Sequence, residues 1–470
     1  MAERPCGFES HLPHHLISFM SEKKRLLLLN PWIYDFTACD FWLRPLGLLY
    51  LASIIREKTT LEVDFLDCLD CRSPAISLFS RLRVKADGRA NFYKEEVPKP
   101  ETFRHIPRKF SRYGLPLSEV EARLKAMTVP QAVLLTCTMT YWYPGVQIAV
   151  ELIRKVFGQV PVILGGIYAT LCPEHARSQS GVDLVVEGPG ENQVLKVLEA
   201  ICGPSILNSA AEAVFYPDFD SLPSPAYDLY QDNSVVCLMT SRGCPFKCTY
   251  CASRLLCPRF EQRNPEKVAR EILDFTRTFN LKHVAFYDDA LLLNKERHLE
   301  EILKILIQKS PGVSFHTPNG LHAGSIDEKL ALLLKRAGFK SLFLSLESTN
   351  SGWLRQTGPK VGLKDLERAL SFLEKAGYQR SEISVYLLVG HPAQTREQVR
   401  ESLRWVKKNG ARPRLAYFSP VPGTEDWKNL VARGKLGSDP LLHNKLVFPY
   451  FWGSLTPEDL EDIRREAGAR

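Results

Sequence analysis

The apolar positions of the chain fall into two series of short runs separated by helical spacings. In the first series, Arg25 to Asn30 (RLLLLN) is a brief apolar run, the pattern of a strand buried on both faces. Pro45 to Glu57 has helical apolar spacing, and Leu61 to Asp67 alternates as a strand. The stretch from about Ser73 to Ala126 has little pattern beyond a basic segment at Arg104, Arg108, Lys109 and Arg112. Alternation then resumes. Ala132 to Thr136 reads as a strand, Val146 to Phe157 as a helix, Val160 to Leu164 as a strand ending in Gly165–Gly166, and Val182 to Glu187 as a further strand. Strands alternating with helices predict a parallel sheet. Residues 23–205 therefore read as an open, doubly wound, Rossmann-like α/β domain with an insertion at about 73–126, behind a flexible tail over 1–22.

The segment Tyr216 to Tyr230 is rich in Pro and Asp and has no period, so 206–232 reads as a linker. Six candidate strands follow: Val235–Ser241, His283–Asp289, Ser314–Pro318, Ser341–Glu347, Glu382–Gly390 and Arg414–Val421. Helix starts are marked by Asn264–Pro265 and by capping boxes at Ser325/Glu328 and Thr395/Gln398. Glycines after Lys375-Ala and Lys408-Asn mark helix ends. Six βα units over 233–430 predict a partial (β/α)6 barrel with its functional loops at the carboxyl ends of the strands. Residues 431–470 read as a short helical tail.

Composition narrows the class. Hydrophobic residues make up 45% and charged residues 24%, an ordinary globular balance. Lys plus Arg number 61 against 53 Asp plus Glu, and a net charge of +8 over this length does not single out nucleic acid as a partner. The longest uncharged run, between Lys125 and Glu151, is broken by Pro130 and Pro144–Gly145 and does not predict a membrane span. Met1 to Ser21 lacks the apolar core of a secretory signal. Twelve cysteines are too sparse for a disulfide scaffold, so a cytoplasmic location is expected, with cysteines as core residues or ligands. The Cys68-Leu-Asp-Cys71 pair follows a strand rather than opening a helix and reads as two unconnected cysteines.

The chemistry concentrates after the first barrel strand, in Ser241-Arg-Gly-Cys244-Pro-Phe-Lys-Cys248-Thr-Tyr-Cys251. Three thiolates on one tight loop suit an iron–sulfur cluster and leave one metal position open for a ligand. A zinc site completed by Cys257 is the other reading of these residues. The three cysteines, spaced by three and then two residues with the aromatic Tyr250 before the last, resemble the signature of the radical S-adenosylmethionine (SAM) superfamily. That resemblance implies a [4Fe-4S] cluster on Cys244, Cys248 and Cys251, and reductive cleavage of SAM bound to the open iron. It also implies SAM contacts at the strand ends, from Tyr250, Asp288, Asp289, Ser345, Glu347 and Gly390. Asn319, His322 and His391 read as surface or bystander positions. The loop Ser419-Pro-Val-Pro-Gly423-Thr424 resembles one common in the cobalamin-associated branch.

The N-terminal block resembles the cobalamin-binding domain that precedes many such barrels. Pro45-Leu-Gly-Leu-Leu-Tyr-Leu-Ala matches its opening helix, Thr136-Cys-Thr138 its hydroxyl motif, and Gly165–Gly166 its glycine pair. The resemblance implies that Thr136, Thr138, Gly165, Gly166, Gly188 and Gly190 hold the nucleotide tail of cobalamin. The family's Asp-x-His-x-x-Gly cobalt-ligating motif is absent. The loop after the first strand offers Asp35 and Asp40 but no histidine, so cobalamin is expected to bind base-off and without a protein imidazole. Together these features imply a cobalamin-dependent methyltransferase acting on an unactivated carbon of a small-molecule or natural-product substrate, fed by a reductant such as flavodoxin or ferredoxin. A radical ring-forming or rearranging enzyme, and a non-catalytic binding protein, are the alternatives.

Overall fold

The computed structural model describes residues 24–81, 83–208, 216, 218–358 and 361–468. The tail expected over 1–22 lies outside the described residues.

Leu26 to Leu29 show why the first strand forms. Leu27 and Leu29 enter one core while Leu26 and Leu28 enter another, so the run feeds both faces of one sheet. That sheet is parallel, in the order Glu62–Asp67, Arg25–Asn30, Ala132–Cys137, Val162–Gly165, Leu184–Val185. The order reverses between the first and third strands in sequence, the arrangement of a doubly wound fold. The insertion is more ordered than its pattern predicts. Lys94–Glu96 and Ser111–Tyr113 form a three-stranded antiparallel sheet with Ile33–Asp35, and Leu117–Ala126 is a helix. Strands of three residues carry too little period to be read from sequence.

The barrel strands are Val235–Leu238, His283–Phe286, Ser314–His316, Phe343–Glu347, Ser384–Val389 and Arg412–Tyr417. All pair in parallel, but the ladder divides into two four-stranded sheets between the third and fourth strands. Pro318 has no N–H to give, so the third strand stops at His316 and pairing resumes at Leu321–His322. Asn264 caps the helix Pro265–Thr278 from its side chain, and Thr395/Gln398 forms the expected box. The box expected at Ser325/Glu328 is corrected. Asp327 caps that helix instead, accepting from the Leu330 N–H at 2.8 Å.

The segment expected as a free linker is packed. Phe219, Leu222 and Ala226 belong to one core of the N-terminal sheet, and the Tyr230 hydroxyl donates to buried Asp67 at 2.5 Å. The helical tail likewise returns to that sheet, where Leu441, Leu446 and Val447 join its other core and Asn444 donates to Asp35. The two α/β units are thereby fixed to each other at several points.

Candidate functional site

The cysteine loop is closed at its base. Ser241–Arg242 pairs antiparallel with Glu261–Gln262, and the three cysteines lie between. Gly243 has φ +79, and a Cβ there would lie 2.4 Å from the Arg259 carbonyl oxygen, so only glycine makes this turn. Cys244 and Cys248 are buried, Cys251 is exposed, and none is in a disulfide. The Cys257 thiol points to the Arg259 carbonyl at 3.2 Å, beyond the short helix Ser253–Leu256.

Between Cys248 and Cys251 the loop is gripped by three barrel units. The Thr249 N–H donates to the Thr357 carbonyl at 3.0 Å, and its hydroxyl donates to Asp426 Oδ2 at 3.0 Å. Asp426 Oδ2 also faces His391 Nε2 at 3.1 Å. His391 Nδ1 accepts from the Trp353 indole N–H and the Ala393 N–H, both at 3.2 Å, which leaves the imidazole proton on Nε2. Trp353 stacks on Tyr250, with ring centroids 6.3 Å apart. His391 is therefore no bystander, and this chain of contacts runs from the loop, through the last three barrel units, back to the loop.

At the mouth, Asp289, Asn319, His322 and Ser345 line one recess with Phe246 of the cysteine loop. Phe246 stacks on His322 at 5.3 Å. Asn319 donates to the Tyr287 and Asp288 carbonyls, and the surface placement expected for it and for His322 is corrected. Asp288, read as a cofactor contact, also lines the recess, but its carboxylate is engaged within the fold. Its buried carboxylate accepts from the hydroxyls and N–H groups of Thr240 and Ser241 at 2.5–3.1 Å, which ties the second strand end to the first. Burial raises its pKa. Asp289 is the exposed member of the pair.

Glu347 ends the fourth strand beside a register shift and has φ +70. A glutamate held in the left-handed region is strained, and such strain clusters at functional sites. Burial pushes the Tyr250 phenol far up, and the nearby Glu347 carboxylate and Cys248 thiol add to the shift, so these three side chains are neighbours. Gly390 has φ +87, and Pro449 of the tail faces the space a Cβ would take, at 3.8 Å.

The N-terminal sheet carries a second site. Thr136, Gly165, Gly166, Gly188 and Gly190 line one slot of about 850 Å³, counting its open side, with Leu48, Leu51, Ile163, Val186 and Val194 as its apolar walls. A Cβ on Gly165 would meet only the Val186 carbonyl oxygen, at 3.9 Å, so this glycine keeps the wall flat. Gly166 has φ +88, and its Cβ would lie 2.6 Å from Thr136 Oγ1, so the backbone itself needs it. Thr138 is corrected: it lies past the strand end, outside this lining. Asp35 and Asp40 are both buried and committed. Asp35 accepts from Trp142 Nε1 and Asn444 Nδ2, each at 2.9 Å, and Asp40 accepts from the Ala90 and Trp42 N–H groups and pairs with Arg72.

Slot and cysteine loop adjoin. Arg242, two residues before Cys244, reaches Glu191 at the slot at 3.4 Å and Glu261 at 2.9 Å, and lies over the Phe219 ring at 5.0 Å. Helix Gly166–Leu171 contacts helix Ser253–Leu256. Arg242, Trp353 and Asp426 were not singled out by sequence, because their partners are 19 to 177 residues away. Among the described residues, no helix is long and apolar enough to cross a membrane.

Comparison with known proteins agrees with this geometry. A model described as the radical SAM superfamily matches residues 238–406, and one described as a B12 binding domain matches residues 113–198. The chain is 25% identical over 416 residues to an uncharacterized methyltransferase of Pyrococcus horikoshii, covering 83% of this chain and 79% of that protein. It is 26% identical over 227 residues to the anaerobic magnesium-protoporphyrin IX monomethyl ester cyclase of a Synechocystis species, 43% of this chain and 45% of that one. Its fold is similar to the radical SAM methyltransferase TsrM from Kitasatospora setae, solved with tryptophan and a SAM analogue. That match has a TM-score of 0.65 and 15% identity, over 95% of this chain and 89% of that one. The chain is a radical SAM protein whose barrel follows a B12-binding domain.

Proposed function

We propose that this chain is a cobalamin-dependent radical SAM methyltransferase acting on an unactivated carbon of a small molecule. Residues 23–205 hold the corrinoid and 233–430 form the radical SAM core. The observation that carries the reading is the joining of two unlike sites: a glycine-walled apolar slot and a three-cysteine loop, bridged by Arg242. The donor set fits the cofactors. Three thiols suit an iron–sulfur cluster with one open iron, and the flat wall at Gly165 suits a heterocycle laid against a sheet edge. When bound, the cluster supplies the electron that cleaves SAM and the corrinoid supplies the methyl group.

The chain's own residues do the rest. The Thr249–Asp426–His391–Trp353 contacts fix the limb that carries Cys248 and Cys251. Glu347 and Asp289 offer carboxylates to the nucleoside and the amino group of SAM. Arg242 keeps the slot and the loop in register. Electrons come from a flavodoxin or ferredoxin. The test is anaerobic purification with iron and sulfide assays and a spectrum of extracted corrinoid. Iron with corrinoid supports the proposal, and absence of either overturns it. The likeness to the cyclase supports a second reading, in which iron is present but no methyl group is gained by the product.

A further inference from the structure

The sites above lie at the carboxyl ends of the strands. The amino ends of the barrel strands carry another recess, of about 980 Å³ counting its open side. Arg89 reaches it from the insertion, while Lys340, Arg412 and Arg414 reach it from the fourth and sixth βα units. His283 and His316 add two imidazoles. Burial, together with the His283 ring, holds His316 near pKa 3, so it brings no charge.

The charges in this recess do not balance. Asp87 is taken by Arg89, with Nη2 2.5 Å from Oδ2. Glu382 accepts the Gln379 N–H at 3.1 Å. Among the described residues, Lys340, Arg412 and Arg414 have no carboxylate within ion-pair distance. Arg414 is the telling member. It is half-buried opposite Tyr386 on the neighbouring strand, and its Nε is buried with no hydrogen-bond partner. Burial and the guanidinium groups of Arg412 and Arg89 lower its pKa, against smaller opposing effects of Tyr386 and Asp87. An arginine whose charge is opposed by burial and by two like charges is incomplete without an anion.

We propose that this recess is a binding site for a phosphate-type oxyanion carried by a small molecule, held between Arg89, Arg412 and Arg414. Guanidinium forks present paired N–H donors that match the oxygens of such a group. Lys340, Arg412 and Arg414, which have no carboxylate within ion-pair distance, call for more than one negative charge, which a phosphoryl group brings and a simple carboxylate does not. The site is not the barrel mouth. Strand Ser384–Val389 separates them by about 20 Å, and Trp42, Val235, Cys237, Ala285 and Phe343 occupy the lumen between.

Calorimetric titration of the anaerobically purified protein with inorganic pyrophosphate tests this, with inorganic phosphate and citrate as comparison anions. Saturable binding at one site is expected, with pyrophosphate and phosphate ahead of citrate. Arg414→Gln should weaken it about tenfold or more, and Arg412→Gln, at an exposed position, should weaken it in a fold that cannot be in doubt. Citrate binding as tightly as pyrophosphate would replace the phosphoryl class with polycarboxylates. Binding that does not saturate, or that is equal in both variants and the parent, would overturn the site. Thermal melting gives a second reading. In anion-free buffer Arg414→Gln should melt no lower than the parent, and pyrophosphate should raise Tm more in the parent than in the variant. A lower Tm for Arg414→Gln without anion would make Arg414 a structural residue and overturn the proposal.

Discussion

The slot in the N-terminal sheet and the mouth of the barrel both sit at carboxyl ends of parallel strands, yet they are made by opposite means. The slot is made by leaving side chains out. Gly165 and Gly188 have nothing within ordinary contact distance where a Cβ would stand, save one carbonyl oxygen at 3.9 Å, and the walls are plain Leu, Ile and Val. The mouth is made by side chains spent on each other: Asp288 on Thr240 and Ser241, Asn319 on two carbonyls, His391 between Trp353 and Asp426. A site built from absence fails when volume is added. A site built from pairings fails when one partner is removed.

The cysteines set the largest effect. Cys248→Ala should abolish iron loading and SAM cleavage, because Cys257, the next thiol along the chain after the motif, is turned to Arg259. Production of 5′-deoxyadenosine at the parent rate would remove the cluster from this loop. Cys68→Ala and Cys71→Ala are the matched controls. Both follow the strand Glu62–Asp67 of the N-terminal sheet and are buried there, with burial pushing the Cys68 thiol up and the Cys71 thiol to about 12, and both variants should keep their iron.

Added volume tests the other region. Gly165→Val should lose corrinoid while keeping iron, since Gly165 lines the slot and a Cβ there would meet only the Val186 carbonyl oxygen, at 3.9 Å. Gly166→Val is the poorer probe, because its φ of +88 and the 2.6 Å approach to Thr136 would strain the backbone as well. Corrinoid retained at the parent level in Gly165→Val, measured by extraction, would put the tail elsewhere.

The two regions were unequally legible in sequence for the same reason. Absence of side chains is written locally: Gly165–Gly166, Gly188 and Gly190 stand out in the chain, and four of the six glycines and hydroxyls that line the slot are these glycines, with Gly47 and Thr136 the others. The cysteine spacing is local too. Pairings are not. Thr249 and Asp426 are 177 residues apart, and nothing in either neighbourhood marks the other. Asp288 and Asp289 show the same limit, since adjacent carboxylates at a strand end look alike until the first strand arrives to claim one of them. The small sheet in the insertion stayed hidden because its strands are three residues long.

A smaller effect is expected at Glu347, where one charge is removed from a region of many contacts. Glu347→Gln should weaken SAM binding by about ten- to a hundredfold, the range for one charge-assisted hydrogen bond, with iron content unchanged. Glu347→Gly separates strain from contact. Glycine accepts φ +70 without cost, so this variant should melt at or above the parent temperature while losing the same SAM affinity. An unchanged SAM dissociation constant in both would take Glu347 out of the site.

The smallest effect is expected in the loop after the first strand, and it bears on how the slot is used. That loop has no histidine, and its two carboxylates are not available. Asp35 is held by Trp142 and Asn444, and Asp40 by the Ala90 N–H and Arg72. Freeing either would leave buried donors unsatisfied, at about 1–3 kcal/mol each, which a weak bond to cobalt does not offset. Were cobalamin bound, neither carboxylate would be free to bond the cobalt. A tail drawn into the slot beside Thr136 and Gly165 also takes the nucleotide base away from it. Electron paramagnetic resonance of the cob(II)alamin form should then show a base-off signal without nitrogen superhyperfine splitting. The signal should be the same in Asp35→Asn, a variant that removes the charge and, with one oxygen in place of two, keeps the acceptor for Asn444 and gives up the one for Trp142. Nitrogen splitting in the parent would mean an imidazole or the tail base on cobalt. A change in Asp35→Asn alone would mean that the buried carboxylate does reach the metal, against its hydrogen bonds.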